Sequence, residues 1–392
     1  MKSNVAKVLA IAETAGATRR GWLMLAGGAS VAALAAGCAP AAAAPDPAPA
    51  APTPAPTGPA IMSSNESPFG PSPMAQEAMR AAVSTTNRYA DGEMGALARM
   101  IAEREGVLPE QIAVANGSSP LLAAFAEMIA QKGKGQLVTS MATYESVPRT
   151  VEQYGAEVIY TPLKADMNFD LDAMAAKLSV KTTASYVCNP NNPTGKMVDP
   201  AALKAFAIEA AKTAPVFLDE AYLDLAVDNK SSNMAGLVRE GHNVVVCRTF
   251  SKLYAMAGQR IGYAIMPAEM ARKMQGSVRM GGVNHLGLVA AMASLKDAAY
   301  YEEMRVKIAK GRNELVAMAK AVKRPIAEDP QGNFIFMDTG MPHKEFAEKM
   351  MAEGVKVVGR TWPGYDSWTR ICVGLDWEQA RCAEALKKVY TV

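Results

Sequence analysis

Histidine and cysteine are scarce in this chain, and neither sign of charge dominates it. Of its 392 residues, three are histidine and five are cysteine, and no two cysteines form a CxxC pair. A structural zinc site needs clustered cysteine and histidine ligands, so no metal site is predicted. The 41 basic and 38 acidic residues leave a net charge of +3. Nucleic-acid binding requires a concentrated basic face, so this balance argues against a nucleic-acid partner.

The composition excludes several further classes of protein. Half of the residues are hydrophobic and 20% are charged, which is unlike a disordered tail, a collagen or a disulfide scaffold. The length allows two or three domains of ordinary size, each with its own core. These observations predict a soluble α/β enzyme, preceded by about sixty residues whose pattern is not that of a fold.

The first 38 residues have the pattern of an export signal. Arg19 and Arg20 stand directly before an uncharged run from Gly21 to Gly37. This run is shorter than the ~20 strongly apolar residues of a membrane-spanning helix. Paired arginines before such a run are typical of a twin-arginine signal peptide, which we predict for residues 1–38. An ordinary membrane anchor and a chance match are the alternatives.

The signal is followed by a cysteine and a spacer. Residues 35–38 (AAGC) resemble a lipoprotein cleavage box, in which Cys38 is acylated, although Ala35 stands where such boxes prefer Leu, Val or Ile. Cleavage near 41–44 without lipidation is the alternative. Of the 22 residues from 39 to 60, 18 are Ala or Pro, which favours an extended linker. We expect an exported, periplasmic protein that is lipid-anchored if Cys38 is acylated.

After residue 61, short β-rich segments alternate with helical segments, which predicts βα units around a mainly parallel sheet. The candidate strands are 111–115, 136–140, 157–161, 185–188, 215–219, 243–249 and 261–265. After about residue 266 long helices dominate, with strands near 333–338, 355–359 and 369–373. This change predicts a smaller α+β C-terminal domain. Ligands of open α/β sheets bind beyond the carboxyl ends of the strands, and the motifs described next follow predicted strand ends.

Lys252 follows closely after a candidate strand in which residues 244–246 are all valine. A lysine becomes a Schiff-base nucleophile when its amine lies near a carbonyl and is partly desolvated. Arg260, with the hydroxyls of Thr249 and Ser251, supplies donors suited to a phosphate monoester. Taken alone, the spacing S-K-x7-R is a weak signal, and a solvent-exposed lysine is the alternative.

Asp219 ends the apolar candidate strand at 215–219. A carboxylate in this position is costly unless it meets a cation. A protonated pyridinium nitrogen is such a cation, and the carboxylate would keep it protonated by raising its pKa. Tyr222, three residues further on, is placed to reach a phenolate oxygen on the same ring. A strand-end aspartate that caps a helix is the alternative.

Two polar loops follow other candidate strands. Residues 189–195 (NPNNPTG) form a loop fixed by proline and glycine that aims an asparagine amide at the sheet edge. Residues 116–119 (NGSS) join a strand to a helix, and free amide groups at a helix start favour phosphate binding. An N-cap role for Ser118 or Ser119 is the alternative, and it does not exclude a phosphate site.

Taken together with Tyr144 and the late pair Arg370-Ile371, these motifs resemble those of the fold-type I pyridoxal-phosphate aminotransferases of class I/II. They also follow the same order along the chain. The histidinol-phosphate aminotransferase branch looks most similar, because residues 65–70 (NESPFG) and 88–92 (RYADG) are similar to its NENPxG and RYPDG motifs. The resemblance extends from about Met62 to the C-terminus. It implies an aspartate aminotransferase-like fold, with a three-layer α/β/α large domain on a mainly parallel seven-stranded sheet.

The same resemblance implies the domain limits and a homodimer. We expect an N-terminal arm of the small domain at 61–90, a large cofactor-binding domain at 91–268 and a small domain at 269–392. In this family the tyrosine that corresponds to Tyr89 reaches the cofactor phosphate of the neighbouring subunit. The resemblance therefore implies a homodimer with shared active sites.

The resemblance also implies pyridoxal 5'-phosphate as the cofactor and gives roles to individual residues. Lys252 would form the Schiff base and move the proton, and Asp219 would pair with the pyridinium. Tyr222 and Asn192 would bind the phenolate oxygen, while Tyr144 would stack on the ring. The residues expected at the phosphate are Gly117, Ser118, Ser119, Ser251 and Arg260, with Thr249 nearby.

The substrate residues follow from the same comparison of motifs. Arg370 matches the arginine that binds the substrate anion, and Arg360 matches a second one. Phe69 stands near the substrate where the branch often has tyrosine, and Asn192 is expected to contact the substrate as well. Arg370 suits a carboxylate or a phosphate equally. The motifs therefore do not choose between histidinol phosphate, which has no carboxylate, and an ordinary amino acid.

The expected reaction is reversible transfer of an amino group between an amino acid or amine and a 2-oxo acid. The export signal argues against a role in histidine biosynthesis, whose phosphorylated intermediates belong in the cytoplasm, and favours a free amino acid or amine. A decarboxylase, lyase or oxidase on the same fold is the alternative. A non-catalytic surface lipoprotein that keeps the fold for binding is another.

Overall fold

The computed structural model describes residues 58–276 and 282–391. The predicted signal at 1–38 and most of the predicted linker at 39–60 lie outside these residues. No helix in the described ranges has the length and apolar character needed to cross a membrane. The described residues cover the segment from about residue 61 onward, for which the sequence predicts an α/β enzyme.

Seven buried or half-buried strands form one sheet. They are β2 (Ile112–Ala115), β3 (Gln136–Ser140), β4 (Glu157–Thr161), β5 (Ala184–Cys188), β6 (Val216–Asp219), β7 (Val244–Thr249) and β8 (Gly262–Ile265). Their order is β2-β8-β7-β6-β5-β3-β4, and β8 runs antiparallel to both of its neighbours while the other pairs are parallel. Each strand ends at the predicted residue and begins within one residue of the predicted start. The prediction of a mainly parallel seven-stranded sheet is confirmed.

Helices cover both faces of this sheet. Because side chains alternate along a strand, Leu218 and Val246 pack into one core while Phe217 and Val245 pack into the other. The helices of the first core are α1 (Pro73–Ala82), α2 (Asp91–Glu105), α5 (Leu171–Ala175), α6 (Pro200–Ala210), α7 (Ala235–Arg239) and α9 (His285–Lys296). The helices of the second core are α3 (Ser118–Ala130), α4 (Ser146–Gln153) and α8 (Ala268–Gln275). The large domain is therefore a three-layer α/β/α structure.

The C-terminal part forms a smaller α+β domain with a separate core, as predicted, but α8 and α9, which were expected in it as parts of 269–392, pack in the large domain instead. Its strands are β1 (Ala60–Ile61), β9 (Phe334–Asp338), β10 (Val355–Lys356) and β11 (Trp368–Cys372). The pair β1–β10 is parallel and the pair β9–β11 is antiparallel. Its helices are α10 (Ala298–Ala321), α11 (His343–Ala352) and α12 (Asp376–Tyr390).

The segment expected as an N-terminal arm, 61–90, divides between the two cores. Met62 packs in the core of the C-terminal domain, whereas Ala75 of α1 packs in the large-domain core. Helix α1 contacts α9, and Leu288 of α9 belongs to the large-domain core too. The chain therefore enters through the small domain and crosses to the large one before residue 75.

The position of β8 brings the predicted motifs to one edge of the sheet. Because β8 lies antiparallel between β2 and β7, these two strands run in the same direction, and Ala115 and Thr249 both pair with Gly262. The carboxyl ends of β2, β3, β5, β6 and β7 therefore meet at one edge, where β8 begins. Every strand-end motif identified from the sequence lies there, which is where ligands of open α/β sheets bind.

Candidate active site

A cavity of about 360 Å³ lies at this edge of the sheet. Twelve of the residues predicted for cofactor or substrate line it: Ser118, Ser119, Tyr144, Asn192, Asp219, Tyr222, Thr249, Ser251, Lys252, Arg260, Arg360 and Arg370. Ser64, Asn65 and Glu66 also line the cavity, although the motifs gave them no role there. Residues from five strand ends and from the C-terminal domain thus converge on one space.

Lys252 contributes a partly buried amine to this cavity. Its Nζ lies 5.4 Å from the centre of the Tyr222 ring. Burial, and to a smaller degree the positive charge of Arg370, lower the pKa of the Lys252 amine from 10.5 to about 8. An amine with this pKa is half neutral near pH 8, so it can act as a nucleophile or as a base.

Asp219 places a buried carboxylate at the end of β6, where it is 2% exposed. The carboxylate accepts hydrogen bonds from the Tyr186 hydroxyl and from the backbone N–H of Ala221, both at 3.1 Å. Its neighbour Glu220 pairs with Arg248 at 2.8 Å, whereas Asp219 has no salt-bridge partner in the described ranges. Burial raises the pKa of Asp219 to about 6. A cation in the cavity would compensate this carboxylate.

The Tyr222 hydroxyl is the centre of a hydrogen-bond network. Its oxygen accepts hydrogen bonds from Nδ2 of Asn65 at 2.8 Å and from Nδ2 of Asn192 at 3.4 Å. Oδ1 of Asn192 accepts a hydrogen bond from Nη1 of Arg370 at 2.6 Å. Because both amides donate to the Tyr222 oxygen, the Tyr222 hydrogen is available to an acceptor in the cavity.

The three asparagines of the loop 189–195 have different roles. Oδ1 of Asn189 accepts a hydrogen bond from the backbone N–H of Val198 at 2.8 Å, and Nδ2 of Asn191 donates to the carbonyl oxygen of Ala142 at 3.1 Å. These two buried amides fix the loop. Asn192 is the one that lines the cavity, as the motif predicted.

The start of α3 is suited to an anion. The helix begins at Ser118, and Gly117 is its N-cap residue with φ of +87°. The alternative of a serine N-cap is wrong: Ser118 and Ser119 are the first helical residues, and within the described residues no side chain caps this end. The first N–H groups of a helix lack intrahelical acceptors, so this end favours a phosphate.

Arg260 completes the phosphate cradle. Its Nη1 donates to Oγ of Ser251 at 3.4 Å and to the carbonyl oxygen of Ala257 at 2.9 Å. The Ser251 hydroxyl also accepts a hydrogen bond from the Thr249 hydroxyl at 2.9 Å. A Cβ atom at Gly117 would clash with Nη2 of Arg260. Two hydroxyls, a guanidinium and a helix start thus meet, although Gly117 itself does not line the cavity.

Replacing Gly117 with alanine is expected to weaken binding of pyridoxal phosphate about tenfold, because the added Cβ atom displaces the Arg260 guanidinium and the loss of a charged hydrogen bond costs ~1.5–3 kcal/mol. Equilibrium dialysis of the cofactor measures this change. Gly258→Ala is the matched control, because Gly258 lines the same cavity and nothing lies within 4 Å of its Cβ position. Equal effects of the two substitutions would contradict the placement of Arg260 at the phosphate.

The two arginines of the C-terminal domain differ in their partners. Arg370 is 5% exposed, and its guanidinium donates to Asn192 and to the carbonyl oxygen of Ser63 at 3.0 Å. Its Nε has no partner among the described residues. Arg360 forms an ion pair with Glu145. Arg370 therefore carries a buried charge without a carboxylate partner in the described chain, which favours binding of an anion.

Besides Gly117, two predicted residues lie outside the cavity of this single chain. Phe69 packs against the core of the C-terminal domain, and Nζ of Lys307 lies 5.6 Å from its ring centre. This packing keeps the Phe69 ring out of the cavity lining. Tyr89 is 94% exposed, so its ring does not reach the cavity of its own chain.

Asn65 is a site residue that sequence reasoning missed. It is 1% exposed, with φ of +52°. Its backbone N–H donates to Sγ of Cys372 at 3.1 Å, and the Cys372 thiol donates to Oδ1 of Asn65 at 2.9 Å. These bonds aim Nδ2 of Asn65 at Tyr222. Asn65 begins the motif at 65–70, which was the available signal.

The cavity fits the cofactor implied by the motifs. It combines a lysine amine with a lowered pKa, a buried carboxylate that lacks a cation and a cradle for a phosphate. These groups match an aldehyde, a pyridinium nitrogen and a phosphate monoester. In the described ranges no group of three or more His, Cys, Asp or Glu side chains is arranged to bind a metal ion.

Comparison with known proteins finds a family whose pattern matches most of the chain. Residues 60–389 match the family described as aminotransferase class I and II. The chain is 32% identical over 329 residues to the histidinol-phosphate aminotransferase of Moorella thermoacetica, covering 84% of each protein.

Two solved structures are similar over most of the chain. The histidinol-phosphate aminotransferase from Sinorhizobium meliloti in complex with pyridoxal-5'-phosphate is 28% identical with a TM-score of 0.77, covering 85% of this chain and 90% of that one. The aspartate aminotransferase from Thermus thermophilus with maleate shares the fold, with a TM-score of 0.72 at 21% identity over 85% of this chain and 91% of that one. The predicted aspartate aminotransferase-like fold is confirmed.

Proposed function

The chain belongs to the aminotransferase class I and II family, and we propose that the cavity at the carboxyl edge of its sheet is the site of amino transfer. The protein is a pyridoxal-phosphate-dependent aminotransferase that exchanges an amino group between an amino acid or amine and a 2-oxo acid. One observation carries the assignment of the site. The amine of Lys252, the carboxylate of Asp219 and the guanidinium of Arg260 line the same cavity.

The described residues divide the binding of the cofactor among them. When bound, pyridoxal phosphate supplies an aldehyde that an amine can attack and a protonated ring that withdraws electrons from the substrate. Asp219 would bind the ring nitrogen, and the hydroxyl of Tyr222 with the amide of Asn192 would bind the ring oxygen. The phosphate would be bound by Ser118, Ser119, Ser251 and Arg260, with Thr249 supporting Ser251.

Lys252 and Arg370 act on the substrate. Nζ of Lys252 takes the proton that leaves the substrate α-carbon and later returns it. Arg370 binds the substrate anion, and its bond to Asn192 at 2.6 Å fixes the guanidinium beside the Tyr222 hydroxyl. This anchoring orients the breaking C–H bond relative to the Lys252 amine.

A spectral half-reaction tests the proposed function. Purified protein with bound cofactor is mixed with single amino donors, and the change in cofactor absorbance and the products are measured. A keto product matching the donor, with the amino group left on the cofactor, is the expected result. Carbon dioxide, pyruvate with ammonia, or peroxide as the product would instead indicate a decarboxylase, a lyase or an oxidase.

The lowered pKa of Lys252 predicts a pH dependence. In cofactor-free protein, the modification rate of Lys252 by trinitrobenzenesulfonate should rise with pH and reach half of its maximum near pH 8, because only the neutral amine reacts and its pKa is about 8. A free lysine side chain with pKa ~10.4 is the reference. Residue-resolved mass spectrometry measures the rate. A midpoint near pH 10 would show that Lys252 is not desolvated.

We infer that the substrate is a free amino acid or amine. The curated relative from Moorella is named for histidinol phosphate, but at this level of identity the substrate can differ between members of a family. The export pattern of residues 1–38 supports the inference, since phosphorylated biosynthetic intermediates are cytoplasmic. Arg370 suits the carboxylate of such a substrate.

We propose that the active enzyme is a homodimer with shared sites. The support is the exposure of Tyr89, 94% of whose surface is accessible in the single chain. An aromatic side chain this exposed is available to the site of a partner subunit. Sedimentation of the holoenzyme as a species of twice the chain mass is expected, and a monomer with full activity would contradict it.

We propose that the protein is exported by the twin-arginine route and lipid-anchored at Cys38. This route carries folded proteins, so the cofactor can be loaded before export. Fractionation of cells that express the full chain should find the protein outside the cytoplasm, and Arg19→Lys with Arg20→Lys should retain it inside. Cys38→Ser should abolish labelling by a fatty acid; unchanged labelling would exclude acylation at this residue.

A further inference from the structure

A second cavity lies beside the proposed active site. Its volume is about 640 Å³, within the ~300–1,000 Å³ typical of small-molecule sites. Arg360 lines both cavities. In the segment between them, Tyr144 lines the active-site cavity while Thr143 and Glu145 line the second one. The second cavity is therefore adjacent to the position of the substrate.

The surface exposed inside the second cavity is mainly apolar, although polar residues also line it. The apolar residues are Met141, Ala142, Pro148, Trp362 and Pro363. Its charged residues are two acidic and two basic side chains, namely Glu145, Glu152, Arg149 and Arg360. These charges balance, so the cavity offers no net attraction to an ion. An uncharged side chain of large apolar area is the group that this lining favours.

The ion pair of Glu145 limits the number of arginines in the two cavities that are free to bind an anion. Arg260 lies in the phosphate cradle, and Arg370 has no carboxylate partner in the described chain. Arg360 is paired with Glu145, so its charge is already compensated. A second anion on the substrate would have to compete with Glu145 for this guanidinium.

We propose that Glu145 is a specificity-determining residue and that the second cavity binds the substrate side chain, a proposal that rests on the proposed function. The substrate class is an amino acid or 2-oxo acid with one carboxylate, bound by Arg370, and a bulky uncharged side chain, bound between Met141 and Trp362. By occupying Arg360, Glu145 disfavours dicarboxylic and phosphorylated substrates.

The test compares the full-chain holoenzyme with Glu145→Gln, which keeps the size of the side chain and removes its charge. Half-reaction rate constants are measured with phenylalanine, aspartate and O-phosphoserine. The wild-type protein should prefer phenylalanine by about tenfold or more, and Glu145→Gln should raise the relative rate of the two acidic donors by about tenfold, the effect of one charged hydrogen bond. Phenylalanine should be affected less than about twofold.

Glu209→Gln is the matched control. Glu209 lines neither cavity and pairs with Lys212 at 2.6 Å, so this substitution also removes a glutamate charge and its ion pair but leaves both cavities unchanged. This variant should leave the donor preference unchanged. Thermal melting of both variants checks that folding is retained.

Binding of non-reacting acids supplies a readout that is independent of turnover. Calorimetry should find that 3-phenylpropanoate binds the wild-type holoenzyme more tightly than succinate, and that Glu145→Gln tightens succinate binding. If this order holds but no amino donor reacts, the proposed function fails while the side-chain site stands. If acidic donors react fastest in the wild-type protein, or Glu145→Gln leaves the preference unchanged, the specificity proposal is wrong while amino transfer stands.

Discussion

Replacing Lys252 with alanine is expected to lower the rate of amino transfer by at least ~10⁴-fold, the upper range for loss of a general base. The variant loses both the amine that attaches the cofactor and the group that moves the substrate proton. In the structure, Lys252 is the lysine that lines the cavity. Single-turnover measurements with saturating cofactor determine the rate.

The control for this prediction is Lys212→Ala. The side chain of Lys212 is 66% exposed and pairs only with Glu209 in the described chain, so its loss should leave the rate unchanged. Borohydride reduction followed by peptide mapping should place the pyridoxyl group on Lys252. If the group were found on another lysine, the site described here would not be the site of cofactor attachment.

Replacing Asp219 with asparagine is expected to weaken cofactor binding about 100-fold, which corresponds to roughly 3 kcal/mol for a buried ion pair that loses one partner. The same change should raise the melting temperature of the cofactor-free protein near neutral pH. The reason is that the Asp219 carboxylate is 2% exposed and has no salt-bridge partner in the described chain. Asparagine can still accept the hydrogen bond from Tyr186.

The stabilising part of this effect has a defined pH range. Burial raises the pKa of Asp219 from 3.8 to about 6, so the folded state binds this proton more tightly than the unfolded state. The buried carboxylate therefore destabilises the folded state increasingly as pH rises from about 4 to about 6. The gain in melting temperature from asparagine should vanish below pH 4. Melting curves at both ends of this range measure it.

Glu105→Gln provides the contrast. The side chain of Glu105 is also buried, but it pairs with Arg248 at 2.8 Å. Removing its charge leaves Arg248 with one carboxylate partner fewer, so the melting temperature should fall. A lower melting temperature for Asp219→Asn as well would show that the Asp219 carboxylate stabilises the empty protein and is not reserved for a cation.

The sheet and most of the cavity were predictable because their signals are local. Each strand is a short apolar run, and each motif follows the carboxyl end of one run, so Asp219 and the loop that contains Asn192 could be placed from neighbouring residues alone. The parallel arrangement then brings those ends together. This reasoning needs no information about distant contacts.

The parts that were not predictable depend on contacts between distant residues. Asn65 reaches Tyr222 because Cys372, 307 residues away, bonds to both its backbone and its side chain. The pair between Glu145 and Arg360 joins the two domains in the same way. The position of Phe69 depends on the packing of the C-terminal core. No local pattern reports these contacts.

The place of β8 in the sheet has a consequence for the time at which the protein can first retain its cofactor. Residues 116–119 and Arg260 are separated by well over a hundred positions in the chain, and they become neighbours only when Gly262 pairs with both Ala115 and Thr249. A nascent chain that has left the ribosome only as far as β7 lacks this junction. Cofactor capture is therefore a late event in biosynthesis, and a truncated product ending before β8 should emerge without vitamin B6 even if its other strands have assembled.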